Sequence, residues 1–158
     1  MPAIGRRTLF DVCLWVGWAG VLGGAARSDA EQISDALLTL STALEERNAA
    51  RFLSLVDRER FPDYSALQDS IVALTAQYEV SSSIGVLEQG RRGDGYELKL
   101  DWMLQMKPAG GGGPAQRRQQ VVNCRIERFG KRWKVTALAP LSFFRPSEAA
   151  VVMKRGHA

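Results

Sequence analysis

Tyr96–Lys107 reads YELKLDWMLQMK. Its even positions Tyr96, Leu98, Leu100, Trp102, Leu104 and Met106 are apolar or aromatic, and Glu97, Lys99, Asp101 and Gln105 alternate with them. Successive side chains of a strand point to opposite faces, so this rhythm predicts a strand with one buried and one solvated face. A buried face needs a cover, and the segments on either side have to supply it.

Upstream the period is helical. Ser28-Asp29-Ala30-Glu31 fits a capping box, in which a serine hydroxyl and a glutamate carboxylate satisfy free amides of a first turn. Ile33, Leu37, Leu40 and Leu44 then fall on one stripe of a helix. Asn48 can end that helix and cap a short second one that buries Phe52, Leu53, Leu55 and Val56. Pro62 breaks the pattern. A third helix is expected from Tyr64 to Tyr78, with Ser65 and Gln68 as a further capping box and Leu67, Ile71, Leu74 and Tyr78 as its stripe. From Val80 the period drops to two, with Val80, Ile84 and Val86 on one side, and this strand is expected to end at Gly90. Arg91-Arg92-Gly93-Asp94-Gly95 is turn chemistry, joining it to the central strand as a hairpin.

Downstream, Pro108–Pro114 is a glycine run without the Gly-Lys-Ser/Thr of a phosphate cradle and reads as a long hairpin loop. The next strand, Gln119–Phe129, places Val122, Cys124 and Ile126 inward and Asn123, Arg125 and Glu127 outward. After a turn at Gly130-Lys131, a last strand ending near Pro140 should face Trp133, Val135 and Ala137 inward. Leu141-Ser142-Phe143-Phe144 should pack across the sheet rim. Met103, Val121 and Leu138 remain as apolar residues on the outward side, where a second copy could pack to form a homodimer.

The 158 residues, 46% hydrophobic, suit one domain. Arg6 and Arg7, the uncharged run Val12–Ala26 and the small residues Gly24-Ala25-Ala26 have the form of an export signal over residues 1–26. This leaves an α+β domain over 27–145 and a loose tail over 146–158. The apolar run has 15 residues, against about 20 needed to cross a bilayer, so a cleaved signal and a periplasmic or secreted protein are expected rather than an uncleaved anchor. Gly5–Phe10 also resembles the twin-arginine pattern, but Asp11 departs from it, and the Sec route is the better reading. Cleavage would remove Cys13 and leave Cys124 without a disulfide partner in the chain.

Charge is divided between the halves. Residues 27–90 carry five Lys/Arg against eleven Asp/Glu, and residues 91–134 carry eleven against four. Attraction between a helical and a strand layer accounts for this. A basic outer sheet face meeting an acidic partner or an anionic membrane surface would account for it as well. No nucleic-acid-reading motif is present, and nucleic acid is not expected as a partner.

Helices over Glu31–Asp57 and Tyr64–Tyr78, a hairpin, and two long strands ending in Gly130-Lys131-Arg132-Trp133-Lys134-Val135 resemble the NTF2-like (SnoaL-like) superfamily across roughly Ser28–Phe144. The resemblance implies helices packed on a strongly curved antiparallel sheet around a cone-shaped pocket. It does not imply one activity, because the superfamily holds isomerases, dehydratases, hydrolases, adaptors and assembly factors.

Enzymes of this kind place His, Asp or Arg inside the cone, where burial tunes a general base. Here the single histidine, His157, lies beside the C-terminus. Asp57 and Asp63 flank the helix break and are the candidates for a base. Tyr64, Tyr78, Tyr96, Trp102, Cys124 and Trp133 are the expected lining of a ligand pocket. One free cysteine, a terminal histidine and scattered carboxylates form no metal-ligand pattern, and no cofactor motif is present. The expected function is therefore an exported, non-catalytic domain that binds a small apolar ligand or a protein partner. An isomerase or hydrolase acting on a hydrophobic carbonyl compound and a membrane-associated envelope scaffold are the alternatives.

Overall fold

The computed structural model describes residues 27–146; residues 1–26, expected to be an export signal, and residues 147–158 of the expected tail lie outside the described residues. Contacts divide the chain between Glu31 and Gln32. In the first unit the Glu31 N–H donates to Ser28 Oγ at 3.3 Å, one of the bonds a capping box requires. The second unit holds the sheet.

The elements run α1 (Asp29–Glu45), α2 (Ala49–Ser54), α3 (Tyr64–Gln77), β1 (Tyr78–Arg92), β2 (Gly95–Pro108), β3 (Gln116–Phe129), β4 (Arg132–Ala139) and a 3-10 turn at Leu141–Phe144. The strands form one antiparallel sheet in chain order, β1-β2-β3-β4, and the arrangement is α+β. The rhythm of Tyr96–Lys107 holds: Leu98, Leu100, Trp102, Leu104 and Met106 are buried and Tyr96 is half-buried. The stripes of α1 and α3 meet that face, with Ile33, Leu37, Leu40, Leu44, Leu67, Ile71 and Leu74 in the same core.

Local caps set the helix ends. Asn48 Oδ1 accepts from the Arg51 N–H at 2.9 Å, capping α2 as its spacing predicts. The second expected capping box does not form. Asp63, at φ 55°, precedes α3, so Ser65 already lies inside the first turn and cannot cap it. At the other end of α3, Arg47 donates to the carbonyls of Thr75 and Ala76 at 2.8 and 3.0 Å, two groups the helix itself cannot satisfy.

Three strand readings are corrected. β1 continues to Arg92, two residues past Gly90, and only Gly93-Asp94 turn the chain. Gly93, at φ 61°, supplies the left-handed backbone the turn needs. Val86, opposite the buried Leu100, is itself exposed, because β1 is the edge strand and bulges at Leu87. The third correction lies in β4, where Arg125 faces Ala137 while Ile126 faces Val135, leaving Thr136 as an extra residue. One inserted residue reverses the side-chain alternation. Ala137 therefore turns outward, and Leu138, opposite Cys124, is 4% exposed and belongs to the core.

The closing turn is corrected as well. Phe143 and Phe144 do not lie on the rim but enter the core, both at most 1% exposed. Phe144 meets Trp102 at 5.0 Å, Phe143 at 5.1 Å and Phe52 at 6.0 Å between ring centroids, mostly edge-on, the arrangement that aromatic quadrupoles favour. The free edge of β4 is covered by the chain after α2: the Asp57 N–H donates to Val135 O at 2.9 Å, and the Val135 N–H donates to Leu55 O at 2.8 Å.

Candidate functional site

Of the six residues expected to line a pocket, Cys124 borders one cleft of the structure and Trp133 another. Trp102 is packed against Phe143 and Phe144, and its indole N–H donates to Ser82 Oγ at 2.9 Å. Tyr78 is 1% exposed, and its hydroxyl has no hydrogen-bond partner among the described residues. Tyr96 and Trp133 are brought together, ring to ring at 5.7 Å. The Trp133 indole N–H donates to Gln32 Oε1 at 3.0 Å, which fixes the ring against α1. Tyr64 lies beneath the Arg58 guanidinium, 5.9 Å from its ring centre. Cys124 sits opposite Leu98, and burial pushes its thiol up to about 12, so it stays protonated and non-nucleophilic near neutral pH.

Of the two aspartates, one serves the backbone and the other makes no capping bond. Asp57 Oδ1 accepts from the N–H groups of Glu59 and Arg60 at 2.9 and 3.1 Å, holding the turn after α2. Asp63 is exposed at the start of α3. The polar side chains buried among the described residues are Ser41, Ser70, Thr75 and Thr136, none of them an acid or base near neutrality. Among the described residues no group of three or more His, Cys, Asp or Glu side chains could hold a metal ion, and no helix is long and apolar enough to cross a membrane.

Two clefts stand open among the described residues. A cleft of about 650 Å³ runs over the outward face of the sheet, with Arg91, Lys99, Asn123, Arg125, Ala137 and Ala139 among its walls. Charged residues at odd positions of β2 and β3 meet there because the pleat stacks them. Glu97 lies between Arg92 at 2.8 Å and Arg125 at 3.5 Å; Arg125 also reaches Glu127 at 3.0 Å, and Glu127 meets Arg60 at 3.3 Å. Lys99 pairs with Glu88 at 3.1 Å. Burial alone would raise the Glu127 carboxyl, but its bonds to Arg125 and Arg60 prevail and hold it below the usual carboxylate range. The outward face thus carries a ladder of alternating signs. Its members on β2 and β3 were legible as the odd positions of the period, but their pairing with Arg60, Glu88 and Arg92 was not.

A second cleft, of about 430 Å³, opens between α1, the end of α2 and the β3–β4 turn. Trp133 lines it, together with Lys131, Arg132 and Lys134.

No protein-family model matches this sequence, and no curated protein matches it. Solved structures do. A conserved protein from Planctomyces limnophilus superposes with a TM-score of 0.61 at 11% identity, covering 70% of this chain and 92% of that one. The beta subunit of the benzoate 1,2-dioxygenase from Burkholderia mallei gives 0.57 at 14% identity, covering 72% and 90%. A nuclear transport factor 2 (NTF2-like) superfamily protein from Salmonella enterica gives 0.55 at 8% identity, covering 68% and 86%. The chain has the NTF2-like fold. At these identities the likeness is one of fold, which in this superfold carries no single activity.

Proposed function

We propose that this protein is a non-catalytic binding domain whose ligand is a protein partner seated on the outward face of the sheet. The observation that carries this reading is the filling of the inner face. Phe52, Trp102, Phe143 and Phe144 occupy the space between helices and sheet, while the 650 Å³ cleft lies on the opposite side. A small apolar ligand would have to displace two buried phenylalanines, whereas a protein surface could meet the charged ladder without rearrangement. Paired charges beside the small residues Ala137 and Ala139 of β4 give the cleft the mixture of polar and apolar surface that protein interfaces use. Export through residues 1–26 belongs to the same proposal and would place the partner outside the cytoplasm.

The enzyme reading has less support. It needs a carboxylate free to take a proton from substrate, and Asp57 is engaged with two backbone amides. Photo-crosslinking in the native host decides between the readings. A photoreactive residue at the exposed Asn123 should yield a discrete protein adduct, and the same residue at Val72 on α3 should not. Turnover of a hydrophobic carbonyl compound that disappears in Asp57→Ala would overturn the proposal.

A further inference from the structure

Some cations of this protein are matched by carboxylates. On the sheet face, Arg92, Lys99 and Arg125 each meet a glutamate within 3.5 Å. Lys131, Arg132 and Lys134, at and just after the β3–β4 turn, form no ion pair with any described residue. All three border the 430 Å³ cleft, a volume within the range of small-molecule sites. The rest of the cleft is different in character. Trp133, held in orientation by Gln32, and the half-buried Ala36 and Leu55 give it apolar surface. Asp35 lies on the α1 side.

From this geometry we infer that the cleft binds an amphipathic anion. Its phosphate or carboxylate head meets Lys131, Arg132 and Lys134, and its apolar part lies against Trp133, Leu55 and Ala36. Three cations within four residues at one hairpin attract such a head at long range, and the aromatic and aliphatic surface retains a ligand that has lost its water. The anion could be a free small molecule or the headgroup of a lipid, since both present the same chemistry. The site lies apart from the sheet-face cleft, so the two proposals stand or fall separately.

Isothermal titration calorimetry of the full chain at low salt tests it, with octyl phosphate below its micelle concentration as the probe, beside inorganic phosphate and octyl glucoside. Octyl phosphate is expected to bind more tightly than either half-ligand and to weaken as salt is raised. The double variant Lys131→Gln/Arg132→Gln, both exposed positions, should lower its affinity at least tenfold with an unchanged far-ultraviolet circular dichroism spectrum. Ser54→Glu, which adds a carboxylate at the exposed wall of the cleft, should lower it independently. A parallel arm uses phosphatidylglycerol vesicles against phosphatidylcholine vesicles. Binding of phosphatidylglycerol vesicles that the double variant abolishes, with no response to monomeric octyl phosphate, would support the site and assign the head to a lipid surface. Failure of both probes to bind, or binding that neither the double variant nor Ser54→Glu weakens, would overturn the inference.

Discussion

Ser82 Oγ accepts the indole N–H of Trp102 at 2.9 Å, across the β1–β2 pair. The backbone of the same serine is held by α1: its N–H donates to Glu45 Oε1 at 3.1 Å, and its carbonyl accepts from Ser41 Oγ at 2.9 Å. One residue thus ties the largest buried side chain to the edge strand and the edge strand to the first helix. Ser82→Ala keeps the backbone bonds but leaves an indole N–H buried without a partner, which costs about 1–3 kcal/mol. Chemical denaturation should show that loss. In a Trp102→Phe background, where the donor is gone, the same serine change should cost much less, and equal costs in both backgrounds would refute the coupling.

Gly95 has a role that its place in a turn-like sequence conceals. A Cβ at this position would run into the Ile126 carbonyl oxygen and the Glu127 side chain, so β2 and β3 can approach here only without one. Gly95→Ala is expected to destabilise the fold by about 1–3 kcal/mol through this overpacking. Gly90→Ala, where a Cβ meets nothing within 4 Å, is the control and should stay within about 0.5 kcal/mol.

The extra residue at Thr136 yields a test of facing. Leu138→Ala should cost about 2–4 kcal/mol, because the side chain is buried opposite Cys124. Val121→Ala, on the exposed outward face, should change stability by no more than about 0.5 kcal/mol. Had the alternation run unbroken through β4, Leu138 would be as tolerant as Val121.

The Glu127 carboxyl predicts the acid limb of stability. Its two arginine partners hold its folded value below the ordinary 4.5, so the ion pairs stabilise the fold above that pH, and their contribution fades as pH falls through the lowered value. Glu127→Gln should therefore be less stable than the wild type at pH 7, and the gap should close on acidification below about pH 4.5. Denaturation midpoints measured from pH 7 to pH 3 check the sign; a gap that widens toward acid would contradict it.

What could be read from residues alone were the features whose cause is local. The period of Tyr96–Lys107, the stripes of α1 and α3, the Asn48 cap and the α+β layout all follow from how a strand or a helix turns its side chains, and they survive in the folded chain. Tertiary structure alone decided the rest, because it depends on residues far apart in the chain. The bulge at Thr136 belongs to the pairing of β4 with β3 and leaves no mark in the alternation of either strand taken alone. The insertion of Phe143 and Phe144 against Trp102 depends on space left between helices and sheet, which no local pattern records. Charge follows the same division: composition located the excess of cations in the strand half, but only the cross-strand distances distinguished arginines already matched by glutamates from the turn residues that are not.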